Sequence, residues 1–331
     1  MLNPELHLNP RLFDFEVEQK ATREGYGKGL VKAGEENSDV VALCADLTES
    51  TFTEEFAKKF PERYFQVGVA EQNLATIGAG FGVSGKIPFI ASYATFCPGR
   101  AWEQIRTTIA YNDSNVKIAG HHTGVSVGPD GATHQATEDI GTMRILPNMK
   151  VIVPCDAIEA AKATYVAAHI WGPIYLRFGR EKTPIITTDA TPFVFGKAVV
   201  FWESRKPKVL IIATGSMLYN ALWAARELEK QKIGSVVLNC HTIKPLDDKK
   251  ILELAKKIGA VVTVEEHQAA GGLGGAVAEL LARHEPAPME FIGLQDTYGE
   301  SGPPSSLIAK YGMAAKDIVS AAKKAIKRIK N

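Results

Sequence analysis

The sequence predicts an α/β protein of two domains, a parallel-sheet domain followed by a smaller α/β domain. Three observations predict this. The chain has 331 residues, about twice a common domain length. Short apolar runs alternate with helical stretches, the pattern of strands joined by crossover helices. A proline-bearing break then stops the alternation, and the pattern restarts beyond it.

Residues 1–20 read as an arm. Pro4 and Pro10 interrupt it, and Leu6, Leu8, Leu12, Phe13 and Phe15 could pack on a neighbour. The first domain is assigned to 21–185. It opens on the helical stretch ATREGYGKGLVKAGEEN, followed by the strand VVALCAD (40–46), which ends in a carboxylate. Further strands are expected at 87–91, 116–120, 151–154 and 173–177, with helices at 52–59, 71–83, 100–112, 135–143 and 156–169. Residues 186–207 read as a linker with a short extended piece, because three prolines fall in 181–208 and no helical period does. The second domain, 208–331, alternates strand 208–213, helix 216–231, strand 235–239, helix 247–258 and strand 260–264. GGLGGAVAELLAR then opens another helix. The Lys-rich tail 314–330 reads as an amphipathic helix with a solvated face.

Composition narrows the function. Lys+Arg 38 against Asp+Glu 37 leaves a formal charge of +1, which supplies no broad footprint for nucleic acid or an anionic membrane. No apolar run is long enough for a membrane span, and the first residues do not read as a secretory leader. Cys44, Cys97, Cys155 and Cys240 are far apart, with no CxxC, so neither a zinc site nor a disulfide scaffold is expected. A reducing cytoplasm suits them.

Two short motifs are set aside. Gly80-Phe-Gly82-Val-Ser-Gly85 spells GxGxxG but closes a helix instead of opening one, so close packing explains it better than a dinucleotide. Gly124-Val-Ser126-Val-Gly128 spells GxSxG, yet Pro129-Asp130-Gly131 follows as a turn where a nucleophile elbow needs a helix.

Three segments carry chemistry. In YFQVGVAEQNLATIGAGFG (64–82), Glu71 stands where an apolar segment enters a helix of small residues. It reads either as a buried functional carboxylate or as a first-turn glutamate favoured by the helix dipole. In ASYATFCPGRAWEQIR (91–106), Tyr93, Phe96 and Trp102 surround a Pro-Gly turn and either wall a flat heterocycle or form a core cluster. HHTGVSVGPDGATHQ (121–135) gathers His121, His122, Asp130 and His134 in a glycine-rich loop able to move protons or bind hydroxyls.

In this order the segments resemble the C-terminal half of transketolase. GVAEQN, YATF, GPDGATHQ, LPNMKVIVPCDAIEA, GPIYLRFGRE and VVTVEEHQAAGGLGGAVAE carry the likeness, over roughly residues 20–315. The resemblance implies a pyrimidine-binding domain for thiamine diphosphate, followed by the transketolase C-terminal domain. The family's diphosphate domain, with its GDG…N metal motif, has no match here. Gly128-Pro-Asp130-Gly131 is similar to the start of that motif, but the later asparagine is missing, so no metal ligands are expected in this chain.

By the same resemblance, Glu71 matches the carboxylate that hydrogen-bonds the aminopyrimidine ring. A raised pKa would let it donate to the ring nitrogen and favour the imino tautomer that activates the cofactor. Phe96 and Trp102 match aromatic positions of the pyrimidine pocket, although Gly99 or Arg100 occupies the place of a further aromatic. Asp46 matches an acidic position near the cofactor. His134, His122 and Asp130 match contacts to the sugar. Arg23, Ser50 and Arg180 match the sugar-phosphate clamp, where guanidinium forks grip phosphate oxygens. Glu71 and His134 are the expected catalytic residues.

The resemblance therefore implies reversible two-carbon ketol transfer from a ketose phosphate to an aldose phosphate. It implies thiamine diphosphate with Mg2+ or Ca2+ held by an N-terminal partner subunit, and a two-plus-two heterotetramer. The chain alone would be inactive. Three alternatives stand beside this: the beta subunit of a 2-oxo acid dehydrogenase, a deoxyxylulose-phosphate-synthase-like enzyme, or a non-catalytic scaffold subunit.

Overall fold

The computed structural model describes residues 1–330. The first domain runs β1 (Gln19–Ala21), α1 (Thr22–Glu36), β2 (Val40–Cys44), α2 (Glu54–Lys59), β3 (Tyr64–Gln66), α3 (Glu71–Val83) and β4 (Ile87–Tyr93). It continues with α4 (Trp102–Gln104), prolonged as a π-helical turn Ile105–Ala110, then β5 (Lys117–His121), α5 (Asp139–Arg144), β6 (Lys150–Ile152), α6 (Ala157–Ala167), β7 (Ile174–Arg177) and β8 (Lys182–Pro184). The second comprises β9 (Val199–Glu203), β10 (Pro207–Ala213), α7 (Met217–Lys230), β11 (Gly234–Asn239), β12 (Thr242–Lys244), α8 (Asp248–Ile258), β13 (Val261–Gln268), α9 (Leu273–His284), β14 (Met289–Leu294), α10 (Pro304–Lys310) and α11 (Ala315–Lys327).

The first sheet has the order β12-β6-β7-β5-β4-β2-β3 and is parallel except for β12. Its central strands, such as VVALC of β2, are buried throughout, as a sheet covered on both faces requires. The second sheet has the order β14-β13-β10-β11-β9, with β9 antiparallel at its edge. The α/β architecture of a parallel-sheet domain followed by a second α/β domain is thus as the sequence predicts.

Small residues set the helix packing. On α1, a Cβ added at Gly25 or Gly29 would collide with the carbonyl oxygen of Ala157 or Ala161 on α6, so the two helices touch backbone to backbone. On α3, a Cβ at Gly78 would come within 2.6 Å of Ile90 Cγ2. Gly82 packs on Val116, whereas Gly80 faces open space and Gly85, at φ 88°, ends the segment. The GxGxxG string is a helix end, and close packing accounts for only one of its glycines.

Three local expectations are corrected. The arm does not wait for a neighbour: Leu6 and Leu12 are buried in the second domain's core with Phe201 and Trp202, and only Phe15 is fully exposed. Backbone bonds hold it there, Asn3 N donating to Phe201 O and Asn9 N to Ile186 O, both at 2.9 Å. The segment 186–207 contains β9, an edge strand, so the second sheet starts before residue 208. Thr242–Lys244 crosses from the second domain to close one edge of the first sheet. The helix expected at 135–143 begins only at Asp139, because Gly124 N bonds Ala136 O and keeps the preceding stretch extended.

The domains are tied by buried polar contacts. Arg177 forms a forked pair with Asp139, at 2.7 and 3.1 Å, and also donates to the Glu266 carbonyl. The four cysteines are buried and free. Among the described residues, no helix is long and apolar enough to cross a membrane.

Candidate functional site

The sequence-predicted residues gather where the parallel strands of the first sheet end. Asp46 and Ser50 follow β2, Glu71 follows β3, Phe96 follows β4, His122 follows β5 and Arg180 follows β7. Carboxyl ends of parallel strands are where open α/β sheets bind ligands. Arg23 joins them from the first turn of α1.

Two linked groups emerge. In the first, Glu71 is 2% exposed at the start of α3 and accepts a hydrogen bond from Arg100 Nη1 at 2.8 Å. That ion pair offsets the desolvation cost of the carboxylate. The Arg100 guanidinium carbon lies 4.8 Å from the centre of the Phe96 ring. Phe96 then meets His134 edge-on, with centroids 5.4 Å apart, and faces Tyr93 at 6.1 Å.

In the second, His122 stacks on Tyr93 with centroids 3.7 Å apart. His122 has φ 55°, a backbone conformation uncommon outside glycine. Successive strand residues face opposite ways, and His121 instead packs between Tyr26 and Phe178. Burial, and then the charges of Arg23, Arg180 and His134, push the His122 pKa down to about 3. The imidazole is neutral near pH 7 and offers one donor and one acceptor. Its Nδ1 is buried without a partner among the described residues.

Arg23 links Ser50 to Arg180. Its Nη1 donates to the Ser50 carbonyl at 2.8 Å and its Nε to the Arg180 carbonyl at 3.0 Å. Burial and the Arg180 charge both lower its pKa. Arg180 donates to Val127 O and pairs with Glu181. Two guanidiniums that repel each other beside a neutral imidazole favour an anionic group.

Three sequence-predicted residues stand outside these contacts. Trp102 donates its indole N–H to the Thr142 carbonyl at 3.0 Å and packs against the core, bridging α4 to α5. Asp46 is exposed at φ 58°, its backbone N–H on Gln66 Oε1. Asp130 is exposed at the end of a 3-10 turn. Tyr93, which the sequence groups with the aromatics around the Pro-Gly turn, is the ring on which His122 stacks, whereas Arg100 carries no role that the sequence suggests. The GxSxG string forms that same turn, with the Ser126 N–H on Glu266 Oε1 at 2.6 Å. Among the described residues, no group of three His, Cys, Asp or Glu side chains is placed to hold a metal ion.

Comparison with known proteins matches this architecture. The transketolase pyrimidine-binding domain model covers residues 18–185, and the transketolase C-terminal domain model covers 196–318. A protein of Methanocaldococcus jannaschii, named as a transketolase C-terminal section, is 42% identical over 90% of this chain and 94% of its own length. The 6-deoxy-6-sulfo-D-fructose transketolase subunit of a Clostridium species is 38% identical over 96% of this chain and 98% of its own. A solved structure titled split gene transketolase, inactive beta4 tetramer, superposes with TM-score 0.86 at 46% identity, over 93% of this chain and 98% of that one. The chain belongs to the transketolase family, where it comprises the pyrimidine-binding domain followed by the C-terminal domain.

Proposed function

We propose that this chain is the C-terminal subunit of a split, thiamine diphosphate-dependent transketolase. It would transfer a two-carbon ketol unit from a ketose phosphate to an aldose phosphate, together with an N-terminal subunit that holds the diphosphate and its divalent metal. The observation that carries the reading is the continuous run from Glu71 and Phe96 to His122, Arg23 and Arg180 across the carboxyl ends of the parallel strands.

The residues present fit the pyrimidine half of the cofactor. A buried carboxylate lies beside an aromatic face, and a flat N–H-bearing group, the Arg100 guanidinium, already reaches both. Such a place accepts an aminopyrimidine ring. The bound cofactor supplies the electron sink for cleaving a carbon–carbon bond next to a carbonyl. Glu71 would hold the ring and exchange a proton with its nitrogen. His134 and neutral His122 would hydrogen-bond the donor's carbonyl and hydroxyls. Asp130 would select among hydroxyl configurations, and Arg23 with Arg180 would hold the anionic end. Guanidiniums suit phosphate or sulfonate alike, which is consistent with a Clostridium relative named for a sulfo-sugar.

Self-association and inactivity alone fit the related split chain titled an inactive beta4 tetramer, and with the N-terminal partner the assembly would be two-plus-two. The Arg23–Arg180 pair also favours this reading over a 2-oxo acid dehydrogenase beta subunit, whose substrates give that pair no task. The test mixes this chain with an N-terminal transketolase subunit, thiamine diphosphate and Mg2+. Transfer from xylulose 5-phosphate to ribose 5-phosphate that needs both chains is expected. A stable, cofactor-loaded complex that decarboxylates 2-oxo acids and transfers no ketol unit overturns the reading.

A further inference from the structure

We infer that Arg100 is a placeholder for the aminopyrimidine ring: its guanidinium takes the contacts of Glu71 and Phe96 that the ring needs, and cofactor entry displaces it. The inference rests on the function proposed above. Its geometry is that of a stand-in. The guanidinium is flat, donates an N–H to the Glu71 carboxylate at 2.8 Å, and lies 4.8 Å from the Phe96 ring centre. A ring that hydrogen-bonds Glu71 and stacks on Phe96 needs those same two surfaces.

Comparison with the buried Arg177–Asp139 pair of the same domain sharpens the point. Arg177 and Asp139 are 6% and 2% exposed, and Arg177 makes further bonds to two carbonyls. That pair is fixed. The Arg100 side chain is 51% exposed against 2% for Glu71, and Glu71 is the guanidinium's one hydrogen-bond partner among the described residues. Arg100 reaches in from the solvent side, so it can swing out without unpacking the core. Leaving Glu71 buried and unpaired would be costly, so the arginine keeps the carboxylate satisfied until a ligand replaces it.

Such a competitor lowers apparent cofactor affinity by the fraction of molecules whose subsite is open. Removing it should tighten binding. The experiment titrates thiamine diphosphate with Mg2+ into the complex of this chain and its N-terminal subunit, and reads the Kd by calorimetry. Wild type, Arg100→Met, Glu71→Gln and the double variant are compared. Arg100→Met keeps the stem and is expected to lower Kd about tenfold, the size expected for one hydrogen bond to a charged group. In the Glu71→Gln background, where the bond to Arg100 loses its charge, the same change should tighten binding clearly less.

An unchanged or raised Kd in Arg100→Met overturns the inference, because the arginine then stays beside the bound ring or plays no part. Equal tightening with and without Glu71 also overturns it, since the contact would not be the cause. No saturable binding by the wild-type complex sinks the proposed function, and the inference falls with it.

Discussion

The imidazole of His122 lies on the ring of Tyr93, with centroids 3.7 Å apart and planes 22° from parallel. That stack fixes the imidazole where Arg23 and Arg180 can act on it. With burial, they bring its pKa from 6.5 to about 3. The unfolded chain therefore binds a proton on this residue between about pH 6.5 and 3, and the folded chain does not. Stability from this group is complete above pH 6.5 and is lost as pH falls through that window. Urea denaturation at several pH values should show wild type weakening on acidification, with His122→Gln shallower by about 1.4 kcal/mol per pH unit between 6 and 4. Parallel curves for the two proteins would mean that the imidazole is not held neutral.

Arg23 and Arg180 lower the His122 pKa and, on the proposed function, would also bind an anion. Replacing either with methionine should raise KM for a phosphorylated ketose about tenfold to a hundredfold in the reconstituted complex. The same variants should handle an uncharged ketose much as wild type does. Equal losses on both substrates would count against a phosphate clamp. Arg180→Met also removes one of the charges acting on His122, so the acid destabilisation of the chain should become milder.

The fold was legible because its signals are local. VVALC, GYGKGLVKAG and ATIGAGFG carry their structure in composition: a doubly buried strand, and helices whose glycines permit backbone approach. What sequence reasoning missed depends on distant partners. The spacing of Leu6 and Leu12 shows that the arm must bury something, but not that the burial is against Phe201 of the same chain. A three-residue strand such as Thr242–Lys244 is too short to show a period, and its place in the first sheet follows from tertiary packing. At the site, Glu71 and the histidines stood out as polar groups in apolar or glycine-rich surroundings. Arg100 did not, because a half-exposed arginine in a turn is ordinary until its partner is known to be a buried carboxylate.

Glu71 is where the catalytic reading and the scaffold reading part. If it exchanges a proton with the cofactor, Glu71→Gln should cut ketol transfer by roughly a hundredfold or more in the reconstituted complex. Glutamine matches the carboxylate in size and still accepts a bond from Arg100, so thermal melting of the chain should change little by comparison. Full activity in this variant would support a chain that kept the fold without the chemistry.

The helix glycines allow a test of packing that is independent of function. Gly25→Ala places a methyl group against the Ala157 carbonyl, and neither backbone can move without separating α1 from α6. Overpacking of this kind costs about 1–3 kcal/mol. Because α1 also carries Arg23, the loss should, on the proposed function, be accompanied by weaker anion binding at Arg23 and Arg180. Gly80→Ala is the control on another helix: nothing lies within 4 Å of the added Cβ, and alanine favours a helix over glycine by up to about 1 kcal/mol. Thermal unfolding of the isolated chain should therefore move in opposite directions for the two variants. A Gly25→Ala chain as stable as wild type would show that α1 and α6 are not in backbone contact.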